Sequence, residues 1–289
     1  MMKKSWLFIC ALLLMGFMPI SLAYASKTIH LDQAKIRVKV PAGQTAIGRI
    51  EIKNPSDGTK KIRVYAQDWV YTDALGAKDF FPAGTKAASC AKWISFVPAE
   101  FTIAPSGKEY LQYTVRVPPE AKGGYYAVLF FESLLGETPK DAEAMAVVPV
   151  AVRVGSLITV EVEGTVERLA QVENLTFNQQ GDTYKVEADF TNTGNADIIV
   201  AGNFNIVNSE GVVFARGEFP QRYTLPQDKA KLVSNFKANL VAGKYDLIIT
   251  LDLGKSLEEL GMGRGPLKVL ETTLEVDQDR QIINVGQLR

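Results

Sequence analysis

The chain has 289 residues, 32 basic and 32 acidic side chains, one histidine and two cysteines. That balance leaves no net field to draw in nucleic acid or an anionic surface, so no nucleic-acid partner is expected. Zinc sites built on His and Cys are excluded by count, and neither a metal nor a cofactor is expected.

Lys3 and Lys4 precede an uncharged, mostly apolar run that Pro19 breaks, and Ala23-Tyr24-Ala25 supplies small residues at cleavage spacing. This predicts a secretory signal peptide over 1–25, cut before Ser26. A membrane-spanning helix needs about 20 apolar residues; Pro19 and Ser21 interrupt this run, and no later run approaches that length. The expected product is exported, periplasmic or secreted to the cell surface, with no membrane span after cleavage. Its charge is then 30 basic against 32 acidic residues, because Lys3 and Lys4 leave with the signal. Only Cys90 remains, which precludes an intramolecular disulfide and marks it as a structural, half-buried thiol. His30 sits near the new terminus.

Period-2 alternation then dominates. Strands are predicted at Lys35–Val40, Thr45–Lys53 and Lys61–Val70, separated by Pro41-Ala42-Gly43 and by Asn54-Pro55-Ser56-Asp57-Gly58. Residues 71–91 read as an irregular segment that crosses between sheets. From Trp93 to Glu132 short β-type runs end at Pro98, Pro105, Pro118 and Gly123-Gly124. From Ala146 to Val162 nearly every even position is apolar, while odd positions include Pro149, Arg153, Thr159 and Glu161. One face of that run is therefore buried and the other mixed.

Further strands are predicted around Ala170–Phe177, Tyr184–Asn192, Ile198–Val207, Val212–Gly217, Lys231–Leu240, Tyr245–Leu253 and Leu267–Val276. Gly123-Gly124-Tyr125 is echoed by Ala242-Gly243-Lys244-Tyr245, each a glycine turn before a late strand, as suits a corner tyrosine whose hydroxyl returns to the backbone. The fold class is all-β: two tandem immunoglobulin-like β-sandwich domains after a signal peptide. The domains are placed at 26–163 and 164–278, joined near Glu163–Arg168, with a polar tail over 279–289.

Catalytic constellations are absent from this pattern. A Ser-His-Asp or Cys-His arrangement would have to use His30, and Gly261-Met262-Gly263-Arg264-Gly265 lacks the spacing of a phosphate loop. The carboxylates form no D-x-D-x-D-G calcium loop. The expectation is a protein that is not an enzyme.

Three stretches carry a family likeness: Arg37-Val38-Lys39-Val40-Pro41 with Gly43, Ile50-Glu51-Ile52-Lys53-Asn54-Pro55, and Phe96-Val97-Pro98…Phe101…Ile103-Ala104-Pro105-Ser106-Gly107. On these the first domain resembles the N-terminal immunoglobulin-like domain of periplasmic pilus-assembly chaperones. The resemblance implies that the Ala146–Val154 run presents an apolar strand to a subunit, adding an extended segment to a sheet edge. It also implies two basic residues that hold the subunit's terminal carboxylate. Arg37 fits the first position; Leu157 falls near the second, with Arg153 the nearest basic substitute. The candidate partner-binding residues are Arg37, Val148, Val150, Val152, Arg153 and Val154, with Arg37 as a solvated strand residue the competing reading. A second likeness, with weaker motifs over more of the chain, is to cell-surface proteins that interact with WxL proteins.

The expected function is a non-catalytic, chaperone-like module that engages another exported or surface protein through exposed sheet edges in the bacterial envelope. The alternative is a structural or carbohydrate-binding surface protein, with Trp69, Tyr71, Phe80, Phe81 and Trp93 stacking on sugar rings or the cell wall.

Overall fold

A computed structural model describes residues 28–135, 150–258 and 265–289. Ten strands occupy the first part: β1 (His30–Leu31), β2 (Lys35–Val40), β3 (Thr45–Lys53), β4 (Lys60–Tyr71), β5 (Lys78–Pro82), β6 (Ile94–Val97), β7 (Glu100–Ile103), β8 (Lys108–Arg116), β9 (Gly124–Leu135) and β10 (Val150–Val162). Eight more follow: β11 (Ala170–Gln180), β12 (Thr183–Asn192), β13 (Ile198–Asn208), β14 (Val213–Thr224), β15 (Lys229–Lys237), β16 (Gly243–Asp252), β17 (Leu267–Val276) and β18 (Ile282–Val285). The only described α-helix is one turn, Lys255–Glu258, and no described helix is long and apolar enough to cross a membrane. Two all-β sandwiches of immunoglobulin-like character result.

In the first, a sheet ordered β1-β3-β8-β6 faces one ordered β2-β10-β9-β4-β5, with β7 also on β4. The alternation explains the layering, since each strand turns one set of side chains inward. Ile50, Ile52, Leu111 and Val115 from one sheet meet Ile62, Phe131, Ile158 and Val160 from the other in one core. The second sandwich packs a β11-β12-β15 sheet on a β14-β13-β16-β17-β18 sheet. Val186, Phe190 and Leu232 face Phe204, Leu247 and Leu251 there. Two separate cores allow each sandwich to bury its own apolar faces.

The segment over 71–91 is more regular than its sequence suggests. β5 forms a hairpin with β4, pairing Tyr71 with Lys78 and Gln67 with Pro82, before the chain crosses to the other sheet at β6. The turn-rich stretch beyond β5 is held by Asp68, which is 1% exposed. Its carboxylate accepts the main-chain N–H of Gly84 (3.1 Å), Thr85 (2.7 Å) and Lys86 (2.9 Å) and the Ser89 hydroxyl. Burial pushes the Asp68 pKa up, but the bonds from Ser89 and the three N–H groups outweigh it and hold the pKa below its ordinary value. Asn54 does the same service after β3, donating to Gly58 O (2.7 Å) and Ala104 O (3.0 Å).

The tyrosine echo is resolved at one of its two sites. Tyr245 donates its hydroxyl to Val241 O at 2.9 Å, whereas Tyr125 packs its ring against Trp93, 4.2 Å between centroids.

Cys90 is fully buried in the first core, deeper than its sequence setting indicated. Burial pushes its thiol far above the usual range, and the thiolate is the reactive form. Cys90 in the folded protein is expected to resist a thiol reagent and to react with it after denaturation. Fast labelling of Cys90 in the native protein would refute this placement.

Candidate functional site: an open strand edge beside an interdomain seam

β10 serves two purposes along its length. Toward β9 it is paired from Val150 to Glu161 without a break. Toward β2 it is paired only from Leu157 to Val162, in parallel. Leu157 N–H donates to Ala34 O and Glu163 N–H to Val40 O, while Val162 N–H donates to Gly123 O on the β9 side. Since the N–H and C=O of one strand residue point to the same side, odd residues of β10 face the β2 edge and even residues face β9. Ala151, Arg153 and Gly155 thus present main-chain groups to which no described strand is paired. That is an edge able to accept another strand.

Side chains alternate at right angles to that pattern. Ile158, Val160 and Val162 are fully buried and Val154 packs against the same core, with Val152 half-buried. On the opposite face Arg153 is exposed and lays its guanidinium 4.3 Å from the centroid of Phe130 and 5.4 Å from that of Phe80, a cation–π contact. Gly155 is required beside it, because a Cβ there would crowd Val128 and the Phe130 ring at about 3 Å. Of the expected residues, Val152, Arg153 and Val154 lie together along this open stretch, and Val150 starts the strand. Val148 lies outside the described residues.

Arg37 is placed elsewhere, in the seam between the sandwiches. Its side chain is 5% exposed. It donates to both carboxylate oxygens of Asp197 at 2.9 and 2.6 Å and to Glu161. Glu161 also accepts from Arg168, whose Nε donates to Asp197 O at 3.2 Å. Burial by itself would lower the Arg37 pKa; the bonds and charge of Asp197, then of Glu161, overcome it and raise the pKa. The four side chains are 7% exposed or less, and they tie β2, the end of β10, the 163–169 connector and the start of β13 together. Glu161, Arg168 and Asp197 were not singled out from the sequence. Arg37 and Asp197 are 160 residues apart, and no local pattern connects them.

The turn at Asn192-Thr193-Gly194-Asn195 completes the seam. Gly124 N–H donates to Asn195 O at 2.8 Å, and Asn195 Nδ2 donates to Thr165 O at 2.8 Å. Gly123, at φ +82°, brings the first sandwich so close to Asn195 that a Cβ would strike its carbonyl.

The aromatic residues considered for sugar stacking pack on one another or on the core. Trp69 is 5% exposed, donates Nε1–H to Ala127 O at 3.0 Å, and meets Tyr71 and Tyr126 edge-on. Phe80 lies on Phe130 and Trp93 against the first core, while Lys86 covers Phe81 with its ammonium 3.4 Å from the ring centroid. Each of these rings has at least one protein contact. Among the described residues no cluster of His, Cys, Asp or Glu could hold a metal ion.

No family model and no curated protein matches the sequence. Solved structures do resemble the fold. A chaperone–tip adhesin complex of CFA/I fimbriae aligns at 10% identity and TM-score 0.47, and the class 5 fimbriae chaperone CfaA at 12% and 0.45; each alignment covers 84% of this chain and 98% of that one. The CsuC–CsuE chaperone–tip adhesion subunit complex of Acinetobacter baumannii aligns at 10% identity and TM-score 0.43, covering 84% and 97%.

Proposed function

We propose that this protein is a non-catalytic, chaperone-like binding module of the bacterial envelope, which takes an extended segment of another exported protein as an added strand on β10. The observation that carries the reading is the half-covered strand: β2 pairs with β10 only from Leu157 onward. The main-chain groups of Ala151, Arg153 and Gly155 supply affinity, and the apolar pair of Val152 and Val154 supplies selectivity through alternate side chains. Arg153, anchored on Phe130, borders the edge. Arg37 sits in the seam at the other end of β10, bonded to Glu161 and Asp197, away from the open stretch.

Arg153→Pro removes one outward N–H while leaving the β9 ladder, which uses the even residues, in place. Val152→Lys with Val154→Lys changes the apolar pair instead. Both are expected to reduce capture of exported partners from a periplasmic extract by about tenfold or more, the equivalent of ~1.4 kcal/mol, with Gln112→Lys on the opposite sheet as a neutral control. On partner binding, hydrogen exchange at the amides of residues 151, 153 and 155 should slow. Unchanged capture by both variants would remove the edge from consideration.

A further inference from the structure

The seam between the sandwiches is fastened at two flanks. At one lie the buried ion cluster, the covalent connector 163–169 and the Gly124–Asn195 bond. At the other, the tip of the β4–β5 hairpin, residues 72–77, reaches over to the end of β14. Tyr223 donates its main-chain N–H to Ala74 O at 2.9 Å, the Tyr71 and Tyr223 rings stand 5.5 Å apart, and Ala74 packs against the second core.

The tip is shaped within the first sandwich before it touches the second. Asp73 Oδ1 accepts the N–H of Leu75 (2.8 Å) and Ala77 (3.1 Å), an Asx-type turn. Lys78 Nζ donates to Gly76 O at 2.8 Å and lies 5.1 Å from the Tyr71 centroid. Gly76, at φ +99°, passes beneath the Tyr223 ring. The hairpin is therefore a rigid arm and its contact with Tyr223 a separable one.

Between the flanks lies a cavity of about 60 Å³ whose walls include Trp69, Tyr71, Lys78, Leu157 and Tyr223. This is far below the ~300 Å³ at which ligand sites begin. Tyr71 and Lys78 belong to the hairpin and Tyr223 is its anchor, so the arm itself closes the space.

We propose that the β4–β5 hairpin tip is a strap that shuts the interdomain cleft, and that its release from Tyr223 opens the cleft by a swing of the second sandwich about the ion cluster and the 163–169 connector. The two flanks are unequal. One has a covalent link and several buried charge-assisted bonds; the other has the Tyr223–Ala74 main-chain hydrogen bond, the Tyr71–Tyr223 ring contact, the packing of Ala74, and Leu225 buried beside Trp69, Tyr126 and Val128. Opening therefore turns about the covalently joined flank, since hinges form at short connecting segments.

The test uses the full chain carrying Cys10→Ser, with spin labels at Ile47→Cys and Val269→Cys, positions 69% and 54% exposed on different sandwiches; buried Cys90 stays unlabelled. Pulsed dipolar spectroscopy on the parent should give one narrow distance. Tyr223→Ala is expected to broaden and displace that distribution. So is replacement of Asp73-Ala74-Leu75-Gly76 by Asn-Gly, which leaves every β4–β5 pair intact. The shortened hairpin decides the matter if Tyr223→Ala does not fold. A parent-like narrow peak in the shortened-hairpin protein would overturn the strap, whatever Tyr223→Ala does.

Discussion

Glu161→Ala is expected to destabilise the protein by about 3–5 kcal/mol, because it strands two buried guanidinium groups without their shared carboxylate. Arg37 and Arg168 both bond to Glu161, and neither side chain exceeds 7% exposure, so water cannot replace the lost partner without prising the sandwiches apart. Urea unfolding followed by fluorescence checks this, with Trp69 and Trp93 reporting on the first sandwich. The four-residue exchange Arg37→Met, Glu161→Leu, Arg168→Met and Asp197→Leu should recover most of the loss, since well-packed apolar groups often match a buried ionic cluster in stability. That contrast separates the cost of an unpaired charge from any need for the charges themselves. A Glu161→Ala protein within about 0.5 kcal/mol of the parent, the range of neutral surface changes, would mean that the cluster is open to solvent.

Asp68→Ala should cost about 2–4 kcal/mol, since each buried donor left without an acceptor costs ~1–3 kcal/mol and four donors converge on this carboxylate, some of which can turn to water. Asp68→Asn keeps one acceptor oxygen and should fall between. The charge also has a pH signature. The folded pKa lies below the ordinary 3.8, so the unfolded chain takes up the proton first on acidification. The stabilisation is fully present above the ordinary carboxyl range and is lost as pH falls through the folded pKa. The stability gap between parent and Asp68→Asn should accordingly be constant near neutrality and narrow below about pH 4. A gap that stays constant into acid would deny Asp68 its charged role.

What the sequence made legible follows from the range of the interactions concerned. The β10 row could be read because its signal repeats every second residue and is set by the core beside it: Ile158, Val160 and Val162 are buried as the pattern implied. β5 was missed because Lys78–Pro82 is five residues long, places Phe80 next to Phe81 and ends in proline, which offers no period. Asp68 sits within an alternating strand where an acidic residue reads as solvated. Only the return of residues 84–89 over it supplies four donors. Arg37 was visible as a motif residue, but its partners come from the far end of β10 and from a turn in the other sandwich, and no spacing rule reaches 160 positions. The Asn192–Asn195 cluster shows the same division, since its turn chemistry was plain and its grip on Gly124 and Thr165 was not.

The strict parity of β10 carries one more implication. Odd residues own the open edge, even residues own the core, and Glu161 closes the same thirteen-residue strand in the seam. Because the side-chain period is two, adding or deleting one residue anywhere between Gly155 and Val160 would exchange the faces of everything on one side of the change. It would drive Glu161 toward the apolar interior and a valine into the ionic seam. Inserting or deleting a single residue in β10 is therefore expected to be more disruptive than a change of two, which keeps each side chain on its own face.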